Sequence, residues 1–254
     1  MKIIFTLQSH AHQYWSVVRA ILCTANMSFS AIICALRKKI TKQWVDARLQ
    51  RWVKDLCRII RVTCIIENPH HVQPQPGVPT IVMCNHSSLL DIPFSFQVFP
   101  KYSMRMLAKK ELIHVPLMGR AMQAAGFPFI DRKNKIQAIK DLEELKHIMN
   151  DGVLLWVAPE GTRAKDGRLG PFKKGVFMTA IESGATIIPI AIRGAYGILP
   201  TKSIRIKLNQ KVYISVGEAI NAQHYSLQNK DELIKKTRAV MEKLLSVDIL
   251  ELSS

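Results

Sequence analysis

The chain has 254 residues, 48% of them hydrophobic and 22% charged. That balance matches an ordinary folded protein and argues against a disordered chain or a polytopic membrane protein. A total of 36 Lys and Arg against 19 Asp and Glu leaves a net charge of +17. Such an excess selects anionic partners, whether nucleic acid, acidic lipid headgroups or phosphorylated substrates, and the placement of the charges must decide among them.

The first candidate element is the uncharged run from Ala20 to Leu36, followed at once by Arg37, Lys38 and Lys39. It sits at the short end of the roughly 17–25 residues that cross a bilayer, and Asn26, Ser28 and Ser30 dilute it. The basic cluster follows the apolar run instead of preceding it, so a retained segment is expected and not a cleaved signal peptide. If the run spans, the positive-inside bias puts the following chain on the cytoplasmic face, in a bacterium that of the inner membrane.

Thr41–Ile60 is expected to be a helix, with Val45, Leu49, Trp52 or Val53, Leu56 and Ile59 recurring at steps of three and four. Its other face carries Arg48, Arg51, Lys54 and Arg58, so these residues and Trp52 are expected to meet an anionic membrane surface. Residues 1–60 are thus read as anchoring helices and residues 61–254 as one folded domain. The five cysteines, Cys23, Cys34, Cys57, Cys64 and Cys84, are odd in number and form no CxxC pair, which predicts free thiols packed as small apolar groups.

Beyond residue 60, Val62–Glu67, Thr80–Cys84, Arg105–Ala108, Phe127–Ile130, Gly152–Ala158, Thr186–Ile192 and Ile204–Val216 are predicted strands. Helices are predicted between and after them, most clearly Ile136–Met149, with Ile136, Ile139, Leu142, Leu145 and Ile148 three apart, and Glu232–Val247. This alternation predicts an α/β fold, a mainly parallel mixed sheet flanked by helices, with functional loops at the carboxyl ends of strands. No P-loop, Gly-x-Gly-x-x-Gly, Gly-x-Ser-x-Gly or His-Glu-x-x-His motif occurs, and His10/His12 and His70/His71 lack metal-ligand spacing, so no metal is expected.

The strand ending at Cys84 runs into Asn85-His86-Ser87-Ser88-Leu89-Leu90-Asp91. A histidine at a helix entry and an aspartate one turn further in can face each other, so the carboxylate fixes the imidazole tautomer and prepares a general base for an alcohol. Ser87 and Ser88 read as turn or cap hydroxyls, with a serine nucleophile as the alternative.

Four ordered blocks resemble the glycerolipid acyltransferase superfamily, most closely the bacterial-type 1-acylglycerol-3-phosphate acyltransferases. They are Asn85–Asp91; Gly126-Phe127-Pro128-Phe129-Ile130-Asp131-Arg132; Pro159-Glu160-Gly161-Thr162-Arg163 followed by Phe172-Lys173-Lys174-Gly175; and Ile188-Pro189-Ile190. Lys109-Lys110-Glu111-Leu112, Pro116 and Gly119 fit the stretch between the first two. Ala158 departs from the pattern, which often has an aromatic there.

The resemblance implies acyl transfer from acyl-CoA or acyl-acyl carrier protein to a lysophospholipid hydroxyl, without cofactor or acyl-enzyme. It assigns His86 as base, Asp91 as its orienting partner, and Arg132 and Arg163 as ligands of the acceptor phosphate. Asn85, Ser87, Gly161 and Thr162 support the site. Glu160 is expected to orient Arg163 or touch acceptor hydroxyls, and Lys173 and Lys174 to assist the phosphate or face solvent. Under this reading the positive charge needs no nucleic acid. The rivals are a family member with another acceptor, such as glycerol-3-phosphate or a different lysolipid, and, from another class, a basic nucleic-acid-binding protein.

Overall fold

The structure, a computed structural model, describes residues 2–246. Helix α1 runs from Lys2–Leu36 and turns through Arg37–Lys39 into α2, Lys42–Ile60. Thr41 caps α2 by accepting the Trp44 N–H, and Arg61, in the left-handed region, ends it. The first strands follow, β1 at Val62–Glu67 and β2 at Thr80–Cys84, then the short helix α3 at Asp91–Ser95. Next come β3 (Met104–Met106), β4 (Ala108–Lys109), a 3-10 turn at Lys110–His114, α4 (Met118–Ala124) and β5 (Phe129–Ile130). The remainder is α5 (Lys135–Asn150), β6 (Leu154–Val157), α6 (Lys174–Glu182), β7 (Thr186–Arg193), α7 (Ala195–Ile198), β8 (Gln210–Val216), β9 (Ile220–Asn221) and α8 (Lys230–Ser246).

The main sheet has the order β1-β8-β7-β2-β6-β3, with β9 on β7, and β4 and β5 form a separate pair. All pairs in the path are parallel except β7 with β8. The central strands β2 and β6 are buried at every position, as expected for strands covered on both faces. One face packs α2, the segment after Asp91 and the edge of α1, through Val45, Leu49, Val53, Leu56, Phe94 and Phe99. The other packs α5, α6 and α8, through Leu145, Phe177, Ala180 and Leu233. The apolar stripe of α2 therefore shares one core with the sheet.

The predicted elements are present, and their differences have local causes. Expected strand Arg105–Ala108 is divided at Leu107, where the chain leaves β6 for β5. Ile204–Val216 shortens to β8, because the register of β1 begins at Gln210 and that of β7 ends opposite Tyr213, leaving residues 204–209 without a ladder. In α5 the three-residue spacing of isoleucines and leucines drifts about 60° per step, so one face cannot bury them all. Leu145 is 1% exposed, whereas Ile136 is 72% and Ile139 is 53% exposed. Helix α8 starts at Lys230, and its expected end at Val247 lies outside the described residues. All five cysteines are free.

Helices α1 and α2 form an antiparallel hairpin in which Trp52 Nε1 donates to Thr24 Oγ1 at 3.1 Å and Arg48 Nη2 donates to Ser30 Oγ at 2.9 Å. Arg48 and Trp52, expected on the membrane face, thus turn toward α1, where hydroxyls accept from Arg48 Nη2 and Trp52 Nε1. Arg51, Lys54 and Arg58 remain exposed as expected, with Asp55 pairing to Arg51 and Arg58.

The apolar helix is also longer than its uncharged run: His12–Leu36 is long and apolar enough to cross a bilayer. Its packed side holds Ser16, Thr24, Ser28 and Ala31, while Trp15, Val18, Ile21, Leu22, Phe29 and Leu36 face outward. Strand β1 runs opposite to β2, so α2 ends where β2 ends. By the hairpin pairing, the 35-residue α1 continues past the 19-residue α2 at that end. The helix consequently projects from the end of the sheet that carries His86.

Candidate active site

Strand β2 delivers Asn85 and His86 at its carboxyl end, and a turn through Ser87 and Ser88 opens α3 at Asp91. Asn85 is 4% exposed and clamps this junction to β7, with Oδ1 accepting the Ile192 N–H at 2.8 Å and Nδ2 donating to Ile192 O at 3.0 Å. The buried amide is spent on this two-bond bridge. Ser87 donates its backbone N–H to the aspartate, and Ser88 Oγ donates to Leu199 O at 2.9 Å. Both serines therefore act as turn residues.

Asp91 is fully buried. Its Oδ2 lies 3.1 Å from His86 Nδ1 and accepts the backbone N–H groups of Ser87 at 2.6 Å and Ser88 at 2.7 Å. An ionised carboxylate only accepts, so the proton of a neutral His86 ring sits on Nδ1 and leaves the Nε2 lone pair free. The indole of Trp156 meets the imidazole edge-on with centroids 5.7 Å apart, which fixes the ring plane from the β6 side. His86 keeps 14% of its side-chain surface, enough for a substrate hydroxyl to reach it.

The loop after β6 is stapled to both sides of His86. Glu160 Oε1 accepts the His86 backbone N–H at 3.0 Å, and the Ala164 N–H donates to His86 O at 2.7 Å. Glu160 Oε2 accepts the Gly170 N–H at 2.7 Å. Glu160 therefore does not orient Arg163, one of the two roles expected for it; both its oxygens hold backbone. It is 4% exposed, and desolvation raises its pKa against the opposing pull of these two N–H groups.

Arg132 Nη1 donates to Gly161 O, so the second and third blocks meet. Gly161 has φ +73, and an added Cβ would lie 3.4 Å from both Arg132 Nη1 and the Lys173 side chain. Arg132, Gly161 and Lys173 thus form one cluster. Desolvation lowers the Arg132 pKa, opposed by Glu111, yet a guanidinium stays charged at neutral pH. Arg163 is half-buried one residue before the His86-bound Ala164, and among the described residues its guanidinium makes no hydrogen bond or ion pair. Thr162 is exposed on the same turn.

The two lysines separate. Lys174 pairs with Asp231 at 3.0 Å, whereas Lys173 is exposed beside Gly161 with no side-chain ion pair among the described residues. Lys110 pairs with Asp131 at 3.0 Å and Lys133 with Glu111 at 3.2 Å, which ties the motif between the first two blocks to the Arg132 turn. Gly119 packs on the backbone of the 3-10 turn, where a Cβ would overlap Ile113 O.

Two contributors had no signal in the motifs. Thr201 Oγ1 donates to Ala164 O at 2.9 Å and Ser87 O at 3.3 Å, closing the site from the loop after β7, and Tyr196 OH donates to Lys165 O at 3.0 Å. Among the described residues no group of three or more His, Cys, Asp and Glu side chains could hold a metal ion.

A family model described as Acyltransferase matches residues 63–193. The chain is 32% identical over 198 residues to a 1-acyl-sn-glycerol-3-phosphate acyltransferase of Cocos nucifera, covering 76% of this chain and 63% of that one. Against the enzyme of that name from Saccharomyces cerevisiae the figures are 31% over 192 residues, 74% and 58%. Against the alpha form from Homo sapiens they are 34% over 161 residues, 63% and 55%. The chain spans less than two thirds of the length of these relatives.

The crystal structure of the 1-acyl-sn-glycerophosphate (LPA) acyltransferase PlsC from Thermotoga maritima shares the fold, with TM-score 0.74, 24% identity and coverage of 96% and 95%. The matched span runs from β1 to the end of β7 and takes in the dyad, the Arg132 turn and the loop that brackets His86. With that span holding His86, Asp91, both arginines and the bracketing loop, the chain belongs to the acyltransferase family.

Proposed function

We propose that this chain transfers a fatty acyl group from a thioester carrier, acyl-CoA or acyl-acyl carrier protein, to the free sn-2 hydroxyl of 1-acyl-sn-glycerol-3-phosphate, giving phosphatidic acid. The observation that carries this reading is the double bracket around His86, which sets the Arg163 loop directly beside a base already oriented by Asp91. The names of the Cocos nucifera and Saccharomyces cerevisiae relatives point to the same acceptor.

In the proposed mechanism His86 Nε2 takes the proton of the acceptor hydroxyl as its oxygen attacks the thioester carbonyl. Asp91 stabilises the imidazolium that forms, and proton return releases the thiol. A thioester is already activated, so a positioned base worth about 10²–10⁴-fold and bound substrates are sufficient without cofactor. A direct transfer fits the serines: Ser88 Oγ donates its proton to Leu199 O, and Ser87 is 3% exposed, so neither is prepared as a nucleophile. Arg163 and Arg132 bind the acceptor phosphate, with Lys173 beside them, because planar guanidinium groups match phosphate oxygens.

The substrate is a bilayer component, and the features of α1 suit it. Ser16, Thr24, Ser28 and Ala31 face the protein while Trp15, Val18, Ile21, Leu22 and Phe29 face outward, with Arg19 and Asn26 as polar exceptions on the outer side. Small residues inside with large apolar ones outside suit a helix against lipid. Residues 24–31 pack along α2 and its polar surface, so α1 projects into the membrane from the His86 end instead of crossing alone between two aqueous faces. Exposed Leu89 and Ile204, the latter between Lys202 and Arg205, line the same end and add contacts with anionic lipid.

Purified protein in detergent micelles, supplied with acyl-CoA and a panel of acceptors, tests the assignment. Transfer to 1-acylglycerol-3-phosphate well above that to monoacylglycerol is expected. Equal or greater transfer to phosphate-free acceptors would remove the role given to Arg132 and Arg163.

A further inference from the structure

Helix α8 reaches across to the active-site loop through one side chain. Arg238 Nη1 donates to Gly170 O at 2.7 Å, Nη2 donates to Leu169 O at 3.1 Å, and Nε pairs with Glu242 Oε1 at 2.8 Å. The guanidinium lies 5.4 Å from the centroid of the Phe172 ring. All three faces of the fork are thus engaged, with the ring beneath it.

The peptide held in this way ends at the dyad. Gly170, whose carbonyl Arg238 holds, donates its own N–H to Glu160 Oε2, and the other oxygen of that buried carboxylate accepts the His86 N–H. A Cβ at Gly170 would lie 2.9 Å from Glu160 Oε2, so the loop has no slack at this point. Apart from Glu160 and Arg238, no side chain among the described residues hydrogen-bonds Leu169 or Gly170, whereas Lys165 and Ala164 are held by Tyr196 and Thr201.

We propose that Arg238 is a positioning residue for catalysis: by fixing the carbonyls of Leu169 and Gly170 it keeps Glu160 on the backbone of His86, and so sets both the imidazole and the phosphate-binding turn. The proposal rests on His86 and Arg163 having the roles given above. Arg238 touches neither substrate nor dyad. Its effect is transmitted through two backbone amides and one carboxylate, and a displacement of the base of the order of 1 Å is enough to cost about 100-fold.

The test is a double-mutant cycle of Arg238→Ala and Glu160→Gln in the full chain, with kcat and acceptor KM measured in micelles and melting temperature measured alongside. Arg238→Ala should lower kcat/KM for 1-acylglycerol-3-phosphate by about 10–100-fold. The loss should be strongly non-additive with Glu160→Gln, because both act on one chain of bonds. Arg238→Lys, which reaches one carbonyl and not two, should recover part of the activity, and added guanidinium ion should raise kcat of Arg238→Ala but not of wild type.

Wild-type kinetics in Arg238→Ala, or a loss fully additive with that of Glu160→Gln, would overturn the proposal. Should Arg238→Ala unfold, Arg238→Lys and Arg238→Gln carry the same cycle. His86→Ala separates the two readings: unimpaired turnover there retracts the general-base mechanism and this proposal with it, whereas abolished turnover with an unaffected Arg238→Ala retracts this proposal alone.

Discussion

Asp91→Asn isolates what the buried carboxylate does for the base. The amide is nearly isosteric and retains an oxygen for the two serine N–H groups, but the negative charge 3.1 Å from the imidazole is gone. At an effective dielectric of about 20, a charge pair at that distance is worth about 5 kcal/mol to the imidazolium of the transition state. Part of this is lost already in the ground state through the hydrogen bond to neutral His86, so we expect kcat to fall about 10³-fold, at about 1.4 kcal/mol per decade.

Release of free thiol from acyl-CoA, followed continuously against acceptor concentration, measures this directly. Acceptor KM should change little, because the phosphate-binding arginines are untouched. Melting temperature should also fall far less than in Asp91→Ala, which strands two buried N–H donors at about 1–3 kcal/mol each. A kcat within tenfold of wild type in folded Asp91→Asn would mean that the carboxylate serves only as a helix and turn clamp and not as the partner of the base.

Further outcomes follow from the same geometry. Asn85→Ala leaves the Ile192 N–H and C=O without partners and should destabilise the fold by about 2–4 kcal/mol in urea titration, with a value under about 0.5 contradicting the clamp. Arg163→Lys should raise KM for phosphate-bearing acceptors about tenfold while leaving phosphate-free acceptors unchanged, since a lysine cannot offer the two-donor fork. For Glu160, burial raises the pKa above its ordinary value of 4.5, so the folded state holds the proton more tightly than the unfolded chain and loses stability as pH rises through that range. The stability of Glu160→Gln relative to wild type should therefore rise as pH climbs above 4.5, although the amide accepts one backbone N–H fewer and activity is lost; a melting-temperature difference independent of pH would speak against a desolvated carboxylate.

How much of this was legible in the residues can be judged position by position. His86 and Asp91 are five apart across a strand-to-helix turn, so local geometry alone brings them together. The parallel sheet followed from alternating β-rich and helical patterns, whereas the bond of Arg132 to Gly161 was not foreseen, since no spacing rule places residue 132 beside residue 161. The hold of Glu160 on the His86 and Gly170 backbone was not foreseen, because N–H partners leave no side-chain signature. Arg238 and Thr201 were invisible for a related reason: each reaches a carbonyl far away in sequence, and any residue type supplies a carbonyl. The outward face of α1 was likewise hidden in a run read only as uncharged, since only packing distinguishes Ser28 inside from Phe29 outside.

If the imidazole of residue 86 removes the acceptor proton, its loss must show in the turnover of His86→Ala measured with saturating 1-acylglycerol-3-phosphate and acyl-CoA. We expect kcat to fall by about 10³-fold or more in a protein whose melting transition matches wild type, since the ring is bonded only to Asp91 and its removal leaves the backbone brackets at Glu160 and Ala164 in place. Turnover within a few-fold of wild type would mean that another group takes the proton, and the account of this site would have to be abandoned.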